Sequence, residues 1–355
     1  MENPVAPSVV WPFVTVVVPA LNEERYIAPC LLALLQQDYQ GGIEILVFDA
    51  GSTDRTREIV ADLGRGDRRI RLLANPGRLQ SIACNLGAML ASSAARIMVR
   101  ADAHSKYPPG FISTCIGELI ERSATSVVVK MRAVGLSKRQ STIAALQNSW
   151  LGNGGSAHRR GGDGRFVEHG HHAAFDLAFF RKVGGYNETF SHNEDAELDH
   201  RMIAAGGRIW MSGEVSVAYF PRTTLWSLAR QYFNHGRGRA RMLLTHRVWP
   251  RPRQMAPVVF LGGCVGGVAL SAVSPLFLMA PGLYALICCI AGLRIVRSAG
   301  LPMAPSAGLL AMAVHLGWAS GFICGVARYG AMVPPIWQAD TAPLVPVAQT
   351  GSARS

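Results

Sequence analysis

Apolar and polar positions follow two alternating periods along the first part of the chain. The run FVTVVVPA, at 13–20, is rich in consecutive β-branched residues, which is typical of a buried parallel strand. The next segment, 22–37, starts with Asn22 at a capping position and spaces its apolar residues as a helix does. The same alternation predicts strands at 43–51, 69–75, 95–103 and 125–133, and helices at 52–64, 80–94 and 109–123. Strands and helices that alternate across short loops predict an α/β fold with a parallel sheet and helices on both faces.

The pattern changes in the last part of the chain, where long stretches carry no charge. Residues 254–293 and 298–327 contain no Asp, Glu, Lys or Arg. Wound as one helix, the first stretch would measure about 60 Å, twice the thickness of a bilayer core. Because Ser274-Pro275 offers a break, we predict three transmembrane helices, near 256–273, 276–293 and 306–327. Buried helices of a soluble core are the alternative interpretation.

Basic residues flank the predicted membrane helices. The net charge is +12, and Arg247, Arg251 and Arg253 precede the first helix while Arg294 and Arg297 follow the second. Basic residues remain on the cytoplasmic side of a membrane. We therefore predict a cytoplasmic domain at 1–250, a membrane domain of about three helices at 251–330, and a flexible tail at 331–355 on the outer side. The N-terminus lacks the pattern of a cleavable signal.

The block from Arg222 to Arg253 contains arginines and no acidic residue. Such a block indicates an anionic partner: a phosphorylated substrate, an anionic lipid or nucleic acid. Nucleic acid is disfavoured because the block leads directly into a predicted membrane helix. The seven cysteines form no metal-binding spacing, which favours buried thiols in a reducing compartment.

Polar side chains follow three of the predicted strands at the point where each strand ends. They are Asn22 and Glu23, then Asp49 and Asp54, then Asp102 and His104. The carboxyl ends of parallel strands meet at one edge of a sheet, where ligands bind. Neither a G-x-G-x-x-G nor a Walker-type sequence is present to bind phosphate. Carboxylates with a histidine suit Mg²⁺ or Mn²⁺, and such a cation could hold a diphosphate at this edge; turn-forming acids are the alternative.

Four segments together resemble glycosyltransferase family 2. They are VVVPALNE, DAGSTDRT, the Asp-x-His at 102–104, and HNEDAELDHRM at 192–202. The resemblance covers about residues 13–245 and is strongest to the bacterial exopolysaccharide enzymes of the succinoglycan type, which also have DAH and GRGRAR. It implies a GT-A fold, which is a Rossmann-like nucleotide-sugar-binding domain, followed by the C-terminal transmembrane helices. It also implies transfer with inversion at the anomeric carbon.

The resemblance assigns donor-side residues by position. Asp102 and His104 would hold the divalent cation, Mn²⁺ or Mg²⁺, on the donor diphosphate. His104 stands where the family has a second Asp, and a capping role is its alternative. The residues implied to contact the nucleotide sugar are Pro19, Ala20, Glu23, Asp49 and Asp102. Arg237 and Arg239 could grip the pyrophosphate of the donor or of a lipid, and contact with anionic lipid head groups is their alternative.

The resemblance also assigns an acceptor side. Asp195 would be the catalytic base that removes the proton from the acceptor hydroxyl, with Glu194 as its competitor. The Gly-rich loop at 152–175 is predicted to be mobile or to face the acceptor, with His171 and His172 near it. Gln231 is not followed by the x-x-Arg-Trp of processive synthases, which disfavours processive synthesis.

These assignments lead to a predicted function. The chain would transfer a hexose, from UDP-glucose, to a polyprenyl-pyrophosphate-linked glycan at the cytoplasmic face of a bacterial inner membrane. Other polysaccharide assembly proteins are possible partners. Two alternatives stay open: transfer to polyprenyl phosphate, which makes a lipid-linked monosaccharide, and a non-catalytic partner in a polysaccharide assembly complex.

Overall fold

A computed structural model describes residues 11–154, 163–302 and 306–330. The predicted tail at 331–355 and the centre of the Gly-rich loop, at 155–162, lie outside the described residues.

The described residues form one mixed sheet with helices packed around it. The strands are β1 (Phe13–Ala20), β2 (Ile43–Asp49), β3 (Ile70–Ala74), β4 (Ala95–Arg100), β5 (Ser105–Lys106), β6 (Ser126–Ala133), β7 (Arg165–Val167), β8 (His171–Asp176) and β9 (Ile209–Tyr219). The helices are α1 (Ile27–Leu35), α2 (Thr56–Gly66), α3 (Gln80–Leu90), α4 (Phe111–Glu121), α5 (Lys138–Asn148), α6 (Trp150–Asn153), α7 (Leu177–Lys182), α8 (Glu194–Ala204), α9 (Leu225–Thr245), α10 (Pro252–Leu270), α11 (Met279–Ser298) and α12 (Ser306–Gly330).

The strand order departs from the predicted all-parallel sheet. The order is β3-β2-β1-β4-β8-β6-β9-β5, with β7 paired to β9. Strands β1 to β4 pair in parallel as predicted, but β8 inserts antiparallel between β4 and β6. The Gly-rich, basic segment 152–175 is predicted to be a loop, and it includes most of the residues that form β8. The prediction of a purely parallel sheet is therefore wrong on the acceptor side.

Two core clusters place helices on both faces of the sheet, as predicted. Val16 and Val18 of β1 pack with residues of α1 and α4, while the intervening Val17 packs with residues of α3, α7 and α8. This is the period-two alternation of a strand buried on both faces. Helices α1 and α2 begin later than predicted, at Ile27 and Thr56, because polar residues before each helix form loops instead.

The three apolar C-terminal helices differ in how they pack. Each of Pro252–Leu270, Pro275–Ser298 and Ser306–Gly330 is long and apolar enough to cross a membrane. Helix α10 continues through a short 3₁₀ turn, Pro275–Leu278, into α11. Helix α12 packs most extensively along α9 and also contacts α10 and α11, and α5 contacts both α11 and α12.

Candidate active site

The loops that follow β1 and β2 are tied together at one edge of the sheet. Ala20 pairs with Asp49 at the ends of these two strands, so Pro19 and Ala20 lie beside the turn that follows β2. Asn22 has a φ of 56°, in the left-handed region that Asn tolerates. Its side-chain oxygen accepts a hydrogen bond from the Thr53 N–H at 2.8 Å. This edge is where the family resemblance implies that the nucleoside binds.

Asp49 is buried and holds the turn after β2. Its carboxylate accepts hydrogen bonds from the N–H groups of Gly51, at 3.0 Å, and Ser52, at 3.2 Å. The guanidinium Nε of Arg57 lies 3.7 Å away. The observed contacts are structural, and contact between Asp49 and a nucleobase stays a prediction.

Asp102 lies just past the end of β4, among donors. Its Oδ1 accepts a hydrogen bond from the Gln80 amide at 2.6 Å, and its Oδ2 lies 3.3 Å from His171 Nε2. Burial favours the neutral acid, but the charges of Arg100, His171 and His104 outweigh it and hold the pKa of Asp102 well below its usual range. The carboxylate is therefore ionised and suited to bind a cation.

His104 faces Glu23 across the loops. Its Nδ1 lies 2.8 Å from Glu23 Oε1. Burial opposes protonation, but this contact and the charge of Asp102 raise the pKa of His104 above its ordinary value. The loops after β1 and β4 thus join, and His104 Nε2 is the ring nitrogen that this contact leaves for a cation.

Arg100, the last residue of β4, connects the two predicted halves of the site. Its side chain is 4% exposed. Its Nη1 donates to Asp195 Oδ1 at 2.6 Å and to the Tyr186 hydroxyl at 3.0 Å, and its Nε lies 3.4 Å from Asp102 Oδ1. Burial would lower the pKa of Arg100, but the charges around it, first that of Asp195, raise it well above its ordinary value. One buried cation therefore bridges the predicted cation ligand and the predicted catalytic base.

The first turn of α8 carries two acids whose pKa values are shifted in opposite directions. Asp195 Oδ1 also accepts from the Tyr186 hydroxyl at 2.8 Å, so Arg100 and Tyr186 both donate to the same oxygen. Burial opposes ionisation of Asp195, but the charges of Arg100 and nearby histidines hold its pKa well below the usual range. For Glu194, burial and then the charge of Asp195 raise the pKa to about 7. The pair thus contains one firmly ionised carboxylate and one that titrates near neutrality.

The two histidines predicted on the acceptor side lie in different environments. His171 is partly exposed and contacts Asp102, so it joins the candidate site. His172 has no exposed surface: its Nδ1 lies 2.7 Å from Ser126 Oγ and its Nε2 lies 2.7 Å from Asp199 Oδ1. As placed, His172 cannot reach an acceptor, because side chains alternate along β8 and its ring points into the interior.

Arg237 and Arg239 do not approach Asp102 or His104 in the part of the chain that the structure describes. Arg237 lies near His192, whose pKa is lowered by burial and by the charges of Arg237 and Arg222. Arg239 contacts Met242, with Nη1 3.9 Å from the sulfur, and interacts electrostatically with Asp199. The predicted grip of these arginines on a pyrophosphate stays a prediction that the present side-chain positions do not favour.

Sequence comparison decides the family. The profile of "Glycosyl transferase family 2" matches residues 15–184. The succinoglycan biosynthesis protein ExoA of Rhizobium meliloti is 41% identical over 307 residues, which cover 86% of this chain and 93% of that protein. The chain belongs to glycosyltransferase family 2. The resemblance stated from the four segments is therefore confirmed, and the protein is a glycosyltransferase.

A more distant relative and a solved structure are also similar to this chain. A glucuronosyltransferase of Methanococcus voltae that acts on dolichyl N-acetyl-alpha-D-glucosaminyl phosphate is 26% identical over 241 residues, covering 65% of this chain and 74% of that protein. The mannosyltransferase PcManGT of Pyrobaculum calidifontis, solved with GDP-Man and Mn²⁺, superposes with a TM-score of 0.54. It is 18% identical, and 92% of this chain and 91% of that chain are covered. This likeness confirms the GT-A fold.

The donor set of this family 2 enzyme fits a cation shared with a substrate. Within residues 11–154, 163–302 and 306–330, no group of three or more His, Cys, Asp or Glu side chains could hold a metal ion alone. Asp102 and His104, the predicted ligands, would supply one carboxylate and one imidazole, which Mn²⁺ accepts. Two protein ligands would leave the other positions to phosphate oxygens and water, which is the usual arrangement for such cations on phosphates.

Three site residues of this glycosyltransferase were missed from the sequence: Gln80, Arg100 and Tyr186. A usable signal existed for Arg100, because it ends the apolar run IMV at 97–99, and a charged residue at the end of a buried strand needs partners. Tyr186 and Gln80 gave no such signal, because their positions depend on how α3 and the segment before α8 pack against β4.

Proposed function

We propose that this protein transfers a hexose to a polyprenyl-pyrophosphate-linked glycan during exopolysaccharide synthesis. The proposed hexose is glucose, and the proposed donor is UDP-glucose. The observation that carries the proposal is the buried Arg100, which joins Asp102 at the donor side to Asp195 at the acceptor side. Family membership supports sugar transfer. The similarity to ExoA, a succinoglycan biosynthesis protein, supports a role in polysaccharide synthesis.

The donor side follows from the chemistry of a diphosphate. Asp102 and His104 would hold a divalent cation, with Mn²⁺ favoured by the imidazole, and PcManGT is a GT-A enzyme solved with that ion. Such a cation, when bound, neutralises negative charge on a leaving diphosphate. Pro19, Ala20, Glu23 and Asp49 lie at the adjoining edge, on the side proposed for the nucleoside.

The acceptor side follows from the proton that must leave the acceptor hydroxyl. In an inverting transfer, the hydroxyl oxygen bonds to C1 of the sugar while the C1–O bond to the diphosphate breaks on the opposite face. The hydroxyl proton passes to a carboxylate. Asp195 is our choice, because Arg100 and Tyr186 fix its Oδ1 and leave Oδ2 for the acceptor.

An apolar cleft supports a lipid-linked acceptor. It has a volume of about 510 Å³ and lies between α6 and α11, with Trp150, Leu151, Ile287 and Ile290 among its walls and Arg294 beside them. Apolar walls with one arginine suit an isoprenoid chain that ends in phosphate. The name of the Methanococcus voltae relative likewise describes a lipid-phosphate-linked sugar acceptor. We place the enzyme in a bacterial inner membrane with its catalytic domain in the cytoplasm.

A donor panel tests the proposal. Membranes that contain the protein are incubated with Mn²⁺, a lipid-linked primer and one radiolabelled nucleotide sugar at a time. We expect label from UDP-glucose in the lipid phase, and none with Asp102→Ala. Label from another donor alone would contradict the choice of glucose, and transfer unaffected by Asp102→Ala would contradict the cation site.

A further inference from the structure

The three apolar C-terminal helices are not equally available to lipid. Of the apolar window in each helix, 6% is buried in α10 and 17% in the span that contains α11, but 39% is buried in α12. The sequence predicts all three as membrane spans, although their mean hydropathy differs: 1.3 for α10, 2.2 for the span that contains α11 and 1.7 for α12. The buried share separates α12 from the other two, while α12 also packs on α11, where a Cβ atom added at Gly308 would lie 2.7 Å from the Cα of Cys289.

Helix α12 packs against α9 with direct backbone contact. Gly321 lies against the carbonyl group of Phe233, and Gly236 of α9 lies against the carbonyl group of Trp318. A Cβ atom added at Gly317 would lie 2.7 Å from the Ala229 carbonyl oxygen. Later residues of α9 contact later residues of α12, so the two helices run parallel in close contact. Glycines at four-residue spacing allow this approach.

Helix α9 belongs to the catalytic domain and is basic. The His235 carbonyl accepts a hydrogen bond from the Asn193 amide at 2.8 Å, and Arg241 donates to the Thr189 hydroxyl at 2.8 Å. The helix also carries Arg230, Arg237 and Arg239. Charged side chains in the hydrocarbon core are costly. If α12 crossed the bilayer, it would bring this arginine-bearing helix into the hydrocarbon with it.

The hairpin of α10 and α11 exposes more of its apolar surface than α12 does, and its basic residues lie only near its two ends. Phe260 stacks on Tyr284 with ring centroids 5.5 Å apart, which joins the two helices. At the turn between the two helices the large apolar side chains are exposed, Val273 by 82%, Leu276 by 73% and Met279 by 70%. Arg251 and Arg253 lie at the start of the hairpin, and Arg294 and Arg297 lie near its end. An exposed apolar hairpin with basic residues at its base suits a bilayer with anionic head groups.

We propose that the α10–α11 hairpin enters the membrane and returns to the side of the catalytic domain, while α12 stays outside the hydrocarbon core, docked on α9. The chain after Gly330 then lies on the same side as the catalytic domain. The three-helix topology predicted from the sequence has an odd number of crossings and puts the tail on the opposite side.

Reporter fusions to the full chain test the side of the tail. We fuse green fluorescent protein, which fluoresces in the cytoplasm, or alkaline phosphatase, which is active only outside it, to the C-terminus. The same reporters at the N-terminus give the side of the catalytic domain. We expect fluorescence at both ends and no phosphatase activity at either. Active phosphatase at the C-terminus alone would overturn the proposal.

A pair of charge substitutions tests which helix meets lipid. Val265 of α10 is 61% exposed and lies near the middle of its predicted span, and Ile323 of α12 is 47% exposed and lies in the second half of its span. We expect Val265→Arg to release several-fold more protein from membranes in alkaline carbonate, and Ile323→Arg to change the released fraction little. Equal release by the two variants would contradict the proposal. Both proteins are also checked for folding by limited proteolysis against the unsubstituted chain.

Discussion

Two clusters of acids and histidines lie close together in this enzyme, and they differ in access to solvent. The first joins Asp102, Asp195 and His171 around Arg100, and its carboxylates keep 12% and 18% of their surface exposed. The second joins Asp199 to His169, at 2.5 Å, and to His172, and Asp199 is 1% exposed. Both contain histidine–carboxylate contacts, so residue type alone does not distinguish a reactive cluster from a structural one.

This difference in solvent access separates the acidic residues of α8 into two groups. Asp199 and Glu197 face inward, where Glu197 contacts Arg201 at 2.7 Å and His246 at 3.1 Å. Glu194 and Asp195 face the edge of the sheet, one turn earlier. Helical geometry sends residues four apart to the same face, so Asp195 and Asp199 lie one above the other, at the rim and in the interior. We expect substitutions at the rim to change transfer and substitutions in the interior to change stability.

The largest effect is expected from Asp195→Asn. The amide keeps the shape of the side chain but is a very poor proton acceptor, so transfer should fall about 10²–10⁴-fold. Donor binding, measured by titration with the nucleotide sugar, should be retained. Glu194→Gln is the matched control and should lose less. If Glu194→Gln instead produces the greater loss, Glu194 is the base and the proposed role of Asp195 fails.

Arg100→Met should disturb both halves of the rim cluster at once. The variant leaves Asp102 and Asp195 close together without the cation between them, and removing one partner of a buried ion pair costs about 3–5 kcal/mol. We expect a lower free energy of unfolding in detergent together with reduced transfer. Arg100→Lys keeps the charge but not the forked geometry, and should recover part of the stability. A Met variant with normal stability would show that the rim cluster does not depend on Arg100.

Asp199→Asn should affect stability and leave the chemistry nearly intact. The substitution weakens two buried contacts with His169 and His172, at a cost of about 1–3 kcal/mol. Thermal unfolding of the purified protein measures this loss, and transfer is assayed well below the melting temperature. A loss of transfer comparable to that of Asp195→Asn, in a protein that remains folded, would remove the distinction between rim and interior.

The strands that carry the donor side could be predicted from the sequence, because their pattern is local. The runs that form β1, β2 and β4 are apolar and end in polar residues, so the meeting of the loops carrying Asp49, Glu23 and Asp102 was expected. The family resemblance added Asp195 as a candidate. Its meeting with Arg100 joins residues 95 positions apart, and no local pattern encodes that contact.

The acceptor side was harder to predict, because long-range contacts decide it. His171 and His172 are adjacent and chemically identical, yet β8 sends one to Asp102 and the other into the core. Which of them faced the site depended on the register of β8 against β4 and β6, with a shift at Val127/Val128. A strand interpreted as a loop has no predicted register, so the two histidines could not be separated in advance.

The smallest predicted effect is a dependence of stability on pH that comes from Glu194. Burial and the charge of Asp195 raise the pKa of Glu194 from 4.5 to about 7 in the folded protein. Between pH 4.5 and about 7, the folded state therefore keeps a proton on Glu194 that the unfolded state has lost. The contribution of Glu194 to stability is fully present below pH 4.5 and is lost as the pH rises to about 7. Melting temperatures measured across this range in wild type and Glu194→Gln should converge at low pH and diverge towards neutrality, with Gln the more stable at pH 8 because it carries no charge beside Asp195. Parallel curves for the two proteins would mean that folding does not shift the pKa of Glu194, and that the contrast between the two acids of the first turn of α8 does not exist.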